Sequence, residues 1–291
     1  MNWLERMKSG LKTRIKREIP QGIWQQCTHC GHSTYTMALE RNYWICPECT
    51  GHYPISSRQY ASLLLDEDSF AEMDATVTSS DPLRFRDTKR YSERLRAARR
   101  LSGLNEAILT GIGTMGGHPV ALGVMDTRFI MGSLGSATGE KIVRLIDRAR
   151  VDRRCLLLVC QSGGARMMES AFSLMQMAKI SAKLRQLAED RLLYITVLTD
   201  PTYGGVTASF GMLGDIILAE PRARVGFAGQ NVIKQFLGTD ELPEDFQIAE
   251  SVLQHGFVDR IVSRDQLAVE IVRLIALLAP DGNPQEPPAA P

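Results

Sequence analysis

The sequence lacks the long apolar segments on which membrane insertion and export depend. Nowhere in its 291 residues do 18 consecutive apolar residues occur, and its N-terminus has no apolar stretch typical of a signal peptide. We therefore expect a cytoplasmic protein without a membrane-spanning helix. Hydrophobic residues make up 44% of the chain and charged residues 23%, which is typical of a globular protein with one large or two smaller domains.

A marked excess of charge of either sign is also missing, because the net charge is only +1. The molecule as a whole therefore has no electrostatic reason to bind nucleic acid. Two segments are nevertheless basic, at residues 1–20 and 84–100, each with at least six lysines and arginines against two acidic residues. Such clusters are usually solvated helix faces, but they could also contact phosphates or an acidic partner.

Nucleotide-binding and hydrolase motifs are absent. No Gly-x-x-x-x-Gly-Lys-Ser/Thr loop occurs, so the sequence offers no obvious cradle for ATP. Gly111, Gly113 and Gly116 form a Gly-x-Gly-x-x-Gly pattern, but a dinucleotide fingerprint has to open a helix. Here a proline and a second strand-like segment follow, so residues 107–125 are predicted to form a β-hairpin. Ser162 lacks a Gly-x-Ser-x-Gly elbow, and we expect it to cap a helix rather than act as a nucleophile.

Six cysteines are present, and four of them have the spacing of a structural zinc site. Two Cys-x-x-Cys pairs stand 15 residues apart, and four thiolates can close a tetrahedral shell around Zn²⁺ with no open position for catalysis. Disulfides are the alternative, and a cytoplasmic chain disfavours them. Strands of the zinc ribbon are expected at 35–39 and 42–45, with His29, His32 and His52 at its surface. The predicted zinc ligands are Cys27, Cys30, Cys46 and Cys49.

Two Gly-Gly turns, each between a strand-like and a helix-like segment, form the candidate reaction site. The first, Gly163-Gly164, joins an apolar strand to a helical pattern at 167–188. The second, Gly204-Gly205, joins another strand to a predicted helix at 206–213. Free backbone N–H groups at the positive end of a helix suit an oxyanion hole or a phosphate site. Alternatively, the glycines serve only the dihedral angles of tight turns.

The remaining patterns alternate strands with helices, which favours an α/β core of repeated ββα or βα units. We predict a basic helix at 1–22, a zinc ribbon at 23–55, an α/β domain at 56–279 and a disordered, proline-rich tail at 280–291. The first part of the α/β domain, residues 56–104, is expected to consist of connecting helices. Further strands are predicted at 215–220 and 224–229, and further helices at 140–150, 231–237, 246–254 and 265–278.

Three motifs in this order resemble one protein family. The four-cysteine ribbon comes first, and the other two are Ser162-Gly163-Gly164-Ala165-Arg166-Met167 and Leu198-Thr199-Asp200-Pro201-Thr202-Tyr203-Gly204-Gly205-Val206. Over residues 3–265 the chain closely resembles the carboxyltransferase β subunits of bacterial acetyl-CoA carboxylase. The resemblance implies a crotonase-like fold of repeated ββα units, with the zinc ribbon appended at the N-terminus.

The resemblance also implies a reaction and partners. Carboxyltransferases of this family move a carboxyl group from carboxybiotin, held on a separate biotin carboxyl carrier protein, to acetyl-CoA, giving malonyl-CoA for fatty-acid synthesis. The β subunit works with an α subunit in an α₂β₂ heterotetramer, and the active site lies at the α–β interface. ATP is then used by a separate biotin carboxylase. The chain has no Ala-Met-Lys-Met biotinylation hairpin, which agrees with biotin on another protein.

For this reaction the resemblance indicates that the two glycine turns supply donors to a thioester oxygen and to the ureido oxygen of biotin, and it leaves open which turn serves which oxygen. A thioester enolate needs preorganised hydrogen-bond donors, each worth on the order of 3 kcal/mol. No side-chain base accompanies the turns, and in this family biotin itself takes the α-proton. Arg166 could contact a coenzyme A phosphate or instead hold its turn through a carboxylate. The expected donors are the backbone N–H groups of Gly163, Gly164, Gly204 and Gly205, and the candidate coenzyme A contacts are Gly132, Ser133, Gly135 and Arg166.

The chain departs from the family pattern at Met131, where members usually carry the first of two glycines. Because Met131 has a side chain, it stays an open question whether coenzyme A approaches the backbone closely at that point. Gly132 and Gly135 are kept. Gln230 likewise stands where a proline is common, which affects the rigidity of a turn more than the chemistry.

Two other functions stay open at this point. A subunit of a malonyl or methylmalonyl decarboxylase would share the fold, but the zinc ribbon favours the acetyl-CoA carboxylase type. A zinc-ribbon protein that binds nucleic acid could use the two basic segments, as its main role or as a secondary one. Its affinity would fall steeply with salt, with a logarithmic slope of about 0.9 per phosphate neutralised.

Overall fold

The computed structural model describes residues 23–239, 241–243 and 245–279. The predicted N-terminal helix at 1–22 and the predicted tail at 280–291 lie outside the described residues. Among the helices that are described, none combines the length and the apolar character needed to cross a membrane. Internal contacts divide the chain into two units, one ending at Tyr53 and the other beginning at Pro54.

The first unit contains a short antiparallel pair of strands followed by one helix. These are β1 (Trp24–Gln26), β2 (Ser33–Tyr35) and α1 (Thr36–Arg41). The predicted strand at 35–39 is therefore wrong beyond its first residue. The segment is helical because its residues have high helix propensity, namely Met37, Ala38, Leu39, Glu40 and Arg41. Leu39 is the one buried residue among them, so the segment lacks the alternation of buried and exposed side chains that a strand shows. The predicted strand at 42–45 is also wrong, since only Ile45 makes a β-bridge there.

The second unit is a mixed sheet with helices on its faces. Its strands are β3 (Ala71–Met73), β4 (Ile108–Met115), β5 (His118–Met125), β6 (Cys155–Ser162), β7 (Tyr194–Tyr203), β8 (Ile216–Ala219), β9 (Val225–Gly226) and β10 (Arg260–Ile261). Its α-helices are α2 (Ser57–Leu64), α3 (Tyr91–Ser102), α4 (Ser136–Val151), α5 (Ala171–Glu189), α6 (Gln230–Leu237), α7 (Ala249–Gln254) and α8 (Arg264–Leu278). Short 3₁₀ turns lie at Ile130–Gly132, Met167–Glu169 and Phe210–Met212.

The strands follow one another across the sheet in the order β10-β8-β7-β6-β5-β4-β3, and β9 pairs with the end of β7. Neighbours from β5 to β10 are parallel, whereas β3, β4 and β5 are antiparallel. All eight residues of β6 are buried, as expected of a central parallel strand with helices on both faces. Because parallel strands end at the same edge, the turns after β6 and β7 become neighbours.

The predicted hairpin at 107–125 is confirmed, and β4 and β5 pair along their whole length. Gly116 and Gly117 form its two-residue turn with φ of 54° and 82°, the combination that a type I′ turn requires. The carboxylate of Asp66 accepts hydrogen bonds from both glycine N–H groups, at 2.8 and 3.0 Å. Gly116 therefore closes a hairpin and does not belong to a dinucleotide-binding loop.

The hydrophobic core lies between the sheet and the helices α4 and α5. Leu145 and Ile146 of α4 and Ile180 of α5 are fully buried against Leu158 of β6 and Leu198 of β7. α4 begins at Ser136, a turn earlier than predicted, and α5 begins at Ala171 after a 3₁₀ turn. This packing fixes the ends of β6 and β7, where the candidate site lies.

Two helical predictions in the second unit are wrong. Residues 56–104, predicted as connecting helices, contain α2 and α3, but loops and the edge strand β3 separate these two helices. Residues 206–213 form turns and a 3₁₀ turn instead of an α-helix. Val206 and Phe210 have helical spacing and are both buried, but a glycine within so short a segment costs about 1 kcal/mol of helix stability. Gly211 also packs against the carbonyl of Val206, where a Cβ would lie 2.9 Å from the oxygen.

Candidate active site and zinc centre

The two Gly-Gly turns touch each other at the carboxyl edge of the sheet. A Cβ built on Gly204 would lie 3.1 Å from the Cα of Gly164, and one built on Gly164 would lie 3.4 Å from the Cα of Gly204. Their φ angles are 115° for Gly164 and 59° for Gly204, in the region that favours glycine. Both the close backbone approach and the dihedral angles therefore require glycine at these two positions.

The hydrogen bonds distinguish the four predicted N–H donors from one another. The acceptors within the protein are Met131 O for Gly163 (2.8 Å), Ser162 Oγ for Gly164 (3.0 Å) and Phe227 O for Gly204 (2.9 Å). The N–H of Gly205 has no acceptor among the residues that the structure describes. Gly205 is thus the one predicted donor whose hydrogen atom is available to a ligand in this conformation.

A second available donor, Ala165, was missed in the sequence analysis. Its N–H also has no acceptor in the described part of the chain. It lies close to the second turn, because a Cβ built on Gly205 would be 3.5 Å from the nitrogen of Ala165. The sequence did contain a signal for this donor, namely extended backbone directly after a turn. In extended backbone every second N–H group faces the same side. The two turns therefore present one free N–H group each, side by side.

A helix dipole supports only the first of these turns. A 3₁₀ turn and then α5 follow Gly163-Gly164, whereas turns and a 3₁₀ turn follow Gly204-Gly205. The prediction that both turns lie at the start of an α-helix is therefore wrong for the second one. Gly205 has no α-helix directly behind it, and it packs against Ala165 of the first turn.

The four predicted zinc ligands lie together in the first unit. All four Sγ atoms are within 4.8 Å of one another, with Cys27 and Cys49 3.6 Å apart and Cys30 and Cys46 3.7 Å apart. Zn–S bonds of about 2.3 Å in a tetrahedron require sulfur atoms about 3.8 Å apart. The arrangement fits a closed, structural Zn²⁺ site held by these four thiolates.

Crowding of the thiols also shifts the pKa of Cys27 and the pKa of Cys30 in opposite directions. Burial raises the pKa of Cys27, but the backbone N–H groups of Cys30 and His29 outweigh it and lower the pKa to about 7. At Cys30 the backbone N–H of His32 lowers the pKa, while burial and the neighbouring thiolates outweigh it and raise the pKa to about 12. Thiolates crowded in this way are stabilised by a divalent metal, which coordinates them in deprotonated form.

Comparison with known proteins identifies a carboxyl transferase domain and a zinc finger domain in the chain. A carboxyl transferase domain matches residues 56–291, and an acetyl-CoA carboxylase zinc finger domain matches residues 24–49. The acetyl-coenzyme A carboxylase carboxyl transferase subunit beta of Trichormus variabilis is 52% identical over 285 residues, which cover 97% of this chain and 89% of that protein. The protein of the same name from Gloeobacter violaceus is 50% identical, covering 94% of this chain and 90% of its own. The chain belongs to this carboxyl transferase family.

Solved structures of related enzymes share the fold of the carboxyl transferase unit. The Pseudomonas malonate decarboxylase MdcD–MdcE heterodimer has a TM-score of 0.59 at 25% identity, covering 80% of this chain and 90% of that chain. Transcarboxylase 12S has a TM-score of 0.64 at 23% identity, covering 82% of this chain and 42% of that chain. The predicted crotonase-like α/β fold with a four-cysteine zinc ribbon, and the prediction of an enzyme of the carboxyl transferase type, are confirmed.

The predicted coenzyme A contacts of this carboxyl transferase lie in the loop before α4. Gly132, Ser133 and Gly135 are all buried. A Cβ built on Gly132 would lie 2.0 Å from the carbonyl oxygen of Gln161, so this glycine is required for packing against the end of β6. Because all three residues are buried in this conformation, backbone included, the structure does not support their predicted contact with coenzyme A.

Met131 accommodates the departure from the family pattern through its backbone. It has φ 55° and ψ 31°, the left-handed conformation that glycine adopts without steric cost. Its side chain is 58% exposed, and its carbonyl accepts the hydrogen bond from Gly163. The chain therefore keeps the loop conformation of a glycine at this position and places an apolar side chain at the surface beside the first turn.

Arg166 lies beneath the first turn, and its side chain is completely buried. It forms ion pairs with Glu106 and Glu169 and donates a hydrogen bond to the hydroxyl of Tyr91 at 3.1 Å. This environment favours the second of its two predicted roles, in which Arg166 holds the turn, because the buried guanidinium offers no nitrogen to a phosphate. Glu106 belongs to no motif, and its signal in the sequence was an acidic residue next to a buried strand.

The acidic residues nearest the turns are engaged in ion pairs. The carboxylate of Asp200 binds both Nε and Nη2 of Arg224, at 2.7 and 2.9 Å. Glu169 accepts hydrogen bonds from Tyr91 and from the backbone of Ser136. Both carboxylates are therefore held by neighbouring groups in this structure, and the absence of a side-chain base stays a prediction.

Proposed function

We propose that this chain is the β subunit of the carboxyltransferase component of an acetyl-CoA carboxylase in the cytoplasm. The observation that carries the proposal is about 50% identity, over nearly the whole chain, to curated proteins with this name. The reaction transfers a carboxyl group from carboxybiotin on a separate carrier protein to acetyl-CoA and yields malonyl-CoA. ATP is used by a separate biotin carboxylase, and the zinc ion stabilises the ribbon without taking part in the chemistry.

The N–H groups of Ala165 and Gly205 stabilise the charge that develops on the thioester oxygen. As the N–C bond to the carboxyl group breaks, the ureido nitrogen takes a proton from the methyl carbon of acetyl-CoA. The resulting enolate carbon then forms its new bond to CO₂. Loss of one oxyanion donor typically lowers kcat by about 10²–10³. The N–H groups of Gly163, Gly164 and Gly204, which have protein acceptors, hold the turns in shape.

One pair of neighbouring donors serves one oxygen atom, so the donors for the biotin ureido oxygen come from another subunit. This requirement agrees with an exposed apolar surface next to the first turn. Its residues are Met167, Phe172, Leu174 and Met175, which are 81%, 49%, 53% and 63% exposed. Large apolar side chains that are left exposed together in one segment are typical of interaction sites. We assign this surface, the α5 apolar surface, to the α subunit in an α₂β₂ assembly.

Co-expression with a candidate α subunit tests the function. The purified complex is expected to carboxylate biocytin in the presence of malonyl-CoA, whereas the isolated chain is expected to be much less active. A pure complex without this activity, combined with tight DNA binding by the isolated chain at physiological salt, would contradict the proposal. A salt titration of DNA binding by the isolated chain tests nucleic-acid binding as a secondary role, because the affinity would fall steeply as the salt concentration rises.

A decarboxylase subunit is the second candidate, because a Pseudomonas malonate decarboxylase heterotetramer shares the fold with a TM-score of 0.62. The match of residues 24–49 to the acetyl-CoA carboxylase zinc finger domain favours the carboxylase. Release of CO₂ from malonyl-CoA at equal rates with and without biocytin would instead favour the decarboxylase.

A further inference from the structure

A buried polar network surrounds the side chain of Arg166, the residue directly after Ala165. Nε donates to Ser133 Oγ at 3.0 Å, and Nη2 donates to the carbonyl of the same residue at 2.9 Å. The guanidinium also lies over the ring of Phe129, 5.5 Å from its centre. Its hydrogen-bond partners, all of them buried, are Ser79, Tyr91, Glu106, Ser133, Thr138 and Glu169. These partners come from five different segments of the second unit, so the network ties them to the first turn.

The backbone around Ala165 is held from one side. Arg166 N–H donates to Leu134 O, and Leu134 N–H donates to Gly164 O, both at 2.9 Å. Successive N–H groups of an extended chain point in opposite directions. With residues 164 and 166 bonded to Leu134, the N–H of Ala165 is directed to the other side, where Gly205 lies.

We infer that Arg166, Glu106, Glu169 and Tyr91 form a positioning network that aims the N–H of Ala165 at the thioester oxygen. The inference rests on the proposed carboxyl transfer. Arg166 fixes the direction of its own peptide and thereby that of the peptide before it. A misplacement of about 1 Å at such a site can lower the rate by about 10²-fold, because donors must match the transition state. The network acts on turnover and not on substrate affinity.

The position requires arginine because of the number and direction of its donors. A guanidinium has five N–H donors in a planar fork, whereas the ammonium group of lysine has three on a flexible stem. Glu106 and Glu169 lie on different sides of Arg166, and both are at most 2% exposed. A lysine would leave part of this acceptor set without a partner in a buried environment, so the turn would lose its fixed direction.

A second buried triad of the same composition supplies a matched control. Tyr60 donates to Glu220 at 2.9 Å, and Arg264 donates to the Tyr60 hydroxyl at 3.0 Å, as Tyr91, Glu169 and Arg166 do beside the turn. Tyr60 and Tyr91 are both completely buried. Glu220 directly follows β8, whose last residue, Ala219, pairs with Leu198 in the middle of β7. This position is several residues before the Gly204-Gly205 turn. Removal of either tyrosine hydroxyl should therefore cost similar stability, but only one of them belongs to the network around the turn.

Tyr91→Phe and Tyr60→Phe are compared in the complex with the α subunit, by biocytin carboxylation and by thermal melting. Tyr91→Phe is expected to lower kcat about tenfold and to leave the KM for malonyl-CoA within about twofold. Tyr60→Phe is expected to keep the kcat of the unmodified complex. The fall in Tm should be similar for both variants, so a difference in kcat does not arise from general destabilisation.

Hydrogen exchange of the peptide that spans residues 163–166 supplies a readout independent of activity. Exchange there should become faster in Tyr91→Phe and stay unchanged in Tyr60→Phe. Equal exchange and equal kcat in the two variants would overturn the network, as would an effect on KM alone. If Tyr91→Phe does not assemble, Ser79→Ala replaces it, since Ser79 Oγ binds the guanidinium at 3.0 Å. An inactive unmodified complex would contradict the proposed function, while hydrogen exchange still decides the network.

Discussion

Single glycine and alanine residues decide the geometry of the proposed oxyanion site. The Cα atoms of Gly164 and Gly204 approach so closely that a Cβ on either would meet the other turn at 3.1–3.4 Å. Gly163 differs from them, because a Cβ there would lie 3.4 Å from the Cβ of Met131, an ordinary contact. The glycines of one motif are therefore not equivalent, and the atoms around each one show whether that position requires glycine.

Gly205→Ala should impair catalysis at the residue scale. The new methyl group would lie 3.1 Å from Met177 Sδ and 3.3 Å from Ala165 Cβ, which forces the two free N–H groups apart. We expect kcat for biocytin carboxylation to fall at least about tenfold, since each oxyanion donor is worth about 10²–10³ in rate. Gly229→Ala is the control, because its Cβ meets no atom within 4 Å and its φ is −61°. Equal activity of the two variants, at unchanged zinc content, would contradict the assignment of Gly205.

The carboxylate of Glu106 should make stability depend on pH. Burial alone raises the pKa of Glu106, but Arg166 outweighs it and holds the pKa below its ordinary value of about 4.3. A depressed pKa in the folded state contributes stability that is fully present above about pH 4.3 and is lost as the pH falls through the folded pKa.

Urea unfolding between pH 7 and pH 3 measures this contribution. Glu106→Gln should lower the free energy of unfolding at pH 7 by about 3 kcal/mol, because it leaves a buried cation with one partner fewer. Its stability should then vary less with pH than that of the unmodified protein. Parallel pH curves for the two proteins would show that Glu106 does not carry the ion pair.

At the scale of elements, the zinc ribbon depends on its metal, whereas the sheet does not. From residue 23 onwards, the first unit buries a small cluster around Leu39, Tyr53 and its cysteines. So small a core does not stabilise a fold without metal or disulfides, whereas the second unit has an extensive core between its sheet and helices.

Cys46→Ser should release zinc and unfold the ribbon while the second unit keeps its structure. Atomic absorption is expected to show about one zinc ion per chain in the unmodified protein and much less in the variant. Cys155→Ser is the control, since burial raises the pKa of this thiol to about 12 and its side chain lies in β6. The control should keep its zinc. Full zinc occupancy in Cys46→Ser would contradict the four-thiolate site.

At the scale of the whole molecule, we expect the proposed site to be completed by the α subunit. The residues of the α5 apolar surface follow the first turn in the chain, and Met131 adds a further exposed apolar side chain next to that turn. Covering such a surface would remove water from the site and strengthen hydrogen bonds to a developing oxyanion. Assembly and catalysis are therefore expected to be coupled.

Met175→Glu should weaken assembly with the α subunit. A charge placed in an apolar interface has to be desolvated when the complex forms, so copurification and sedimentation should show less complex. Val151→Glu is the control, because Val151 is 79% exposed at the far end of α4. Circular dichroism should be the same for both variants. Unchanged assembly of Met175→Glu would show that the partner binds elsewhere.

Local patterns predicted part of this fold, and their failures have a common cause. The alternation and Gly-Gly turn of β4 and β5 were sufficient, because a hairpin is specified by neighbouring residues. The local pattern of residues 206–213 was not sufficient. Its apolar spacing suits a helix, but hydrogen bonds with the second Gly-Gly turn hold the segment in turns. For residues 36–41 the error was the reverse, because a strand was predicted and a helix was found. The helix propensity of these residues outweighed an apparent strand pattern.

The sequence by itself determined the zinc ligands, the central strands, the positions of the two Gly-Gly turns and the family. These depend on spacings of a few residues, which the chain imposes wherever it folds. Only the tertiary structure decided which N–H groups are free, because the acceptors for Gly163 and Gly204 come from Met131 and Phe227. It also decided that Arg166 is buried against Tyr91, 75 residues away in the chain. Hydrogen-bond partners and burial are set by packing between distant segments, and no local pattern contains that information.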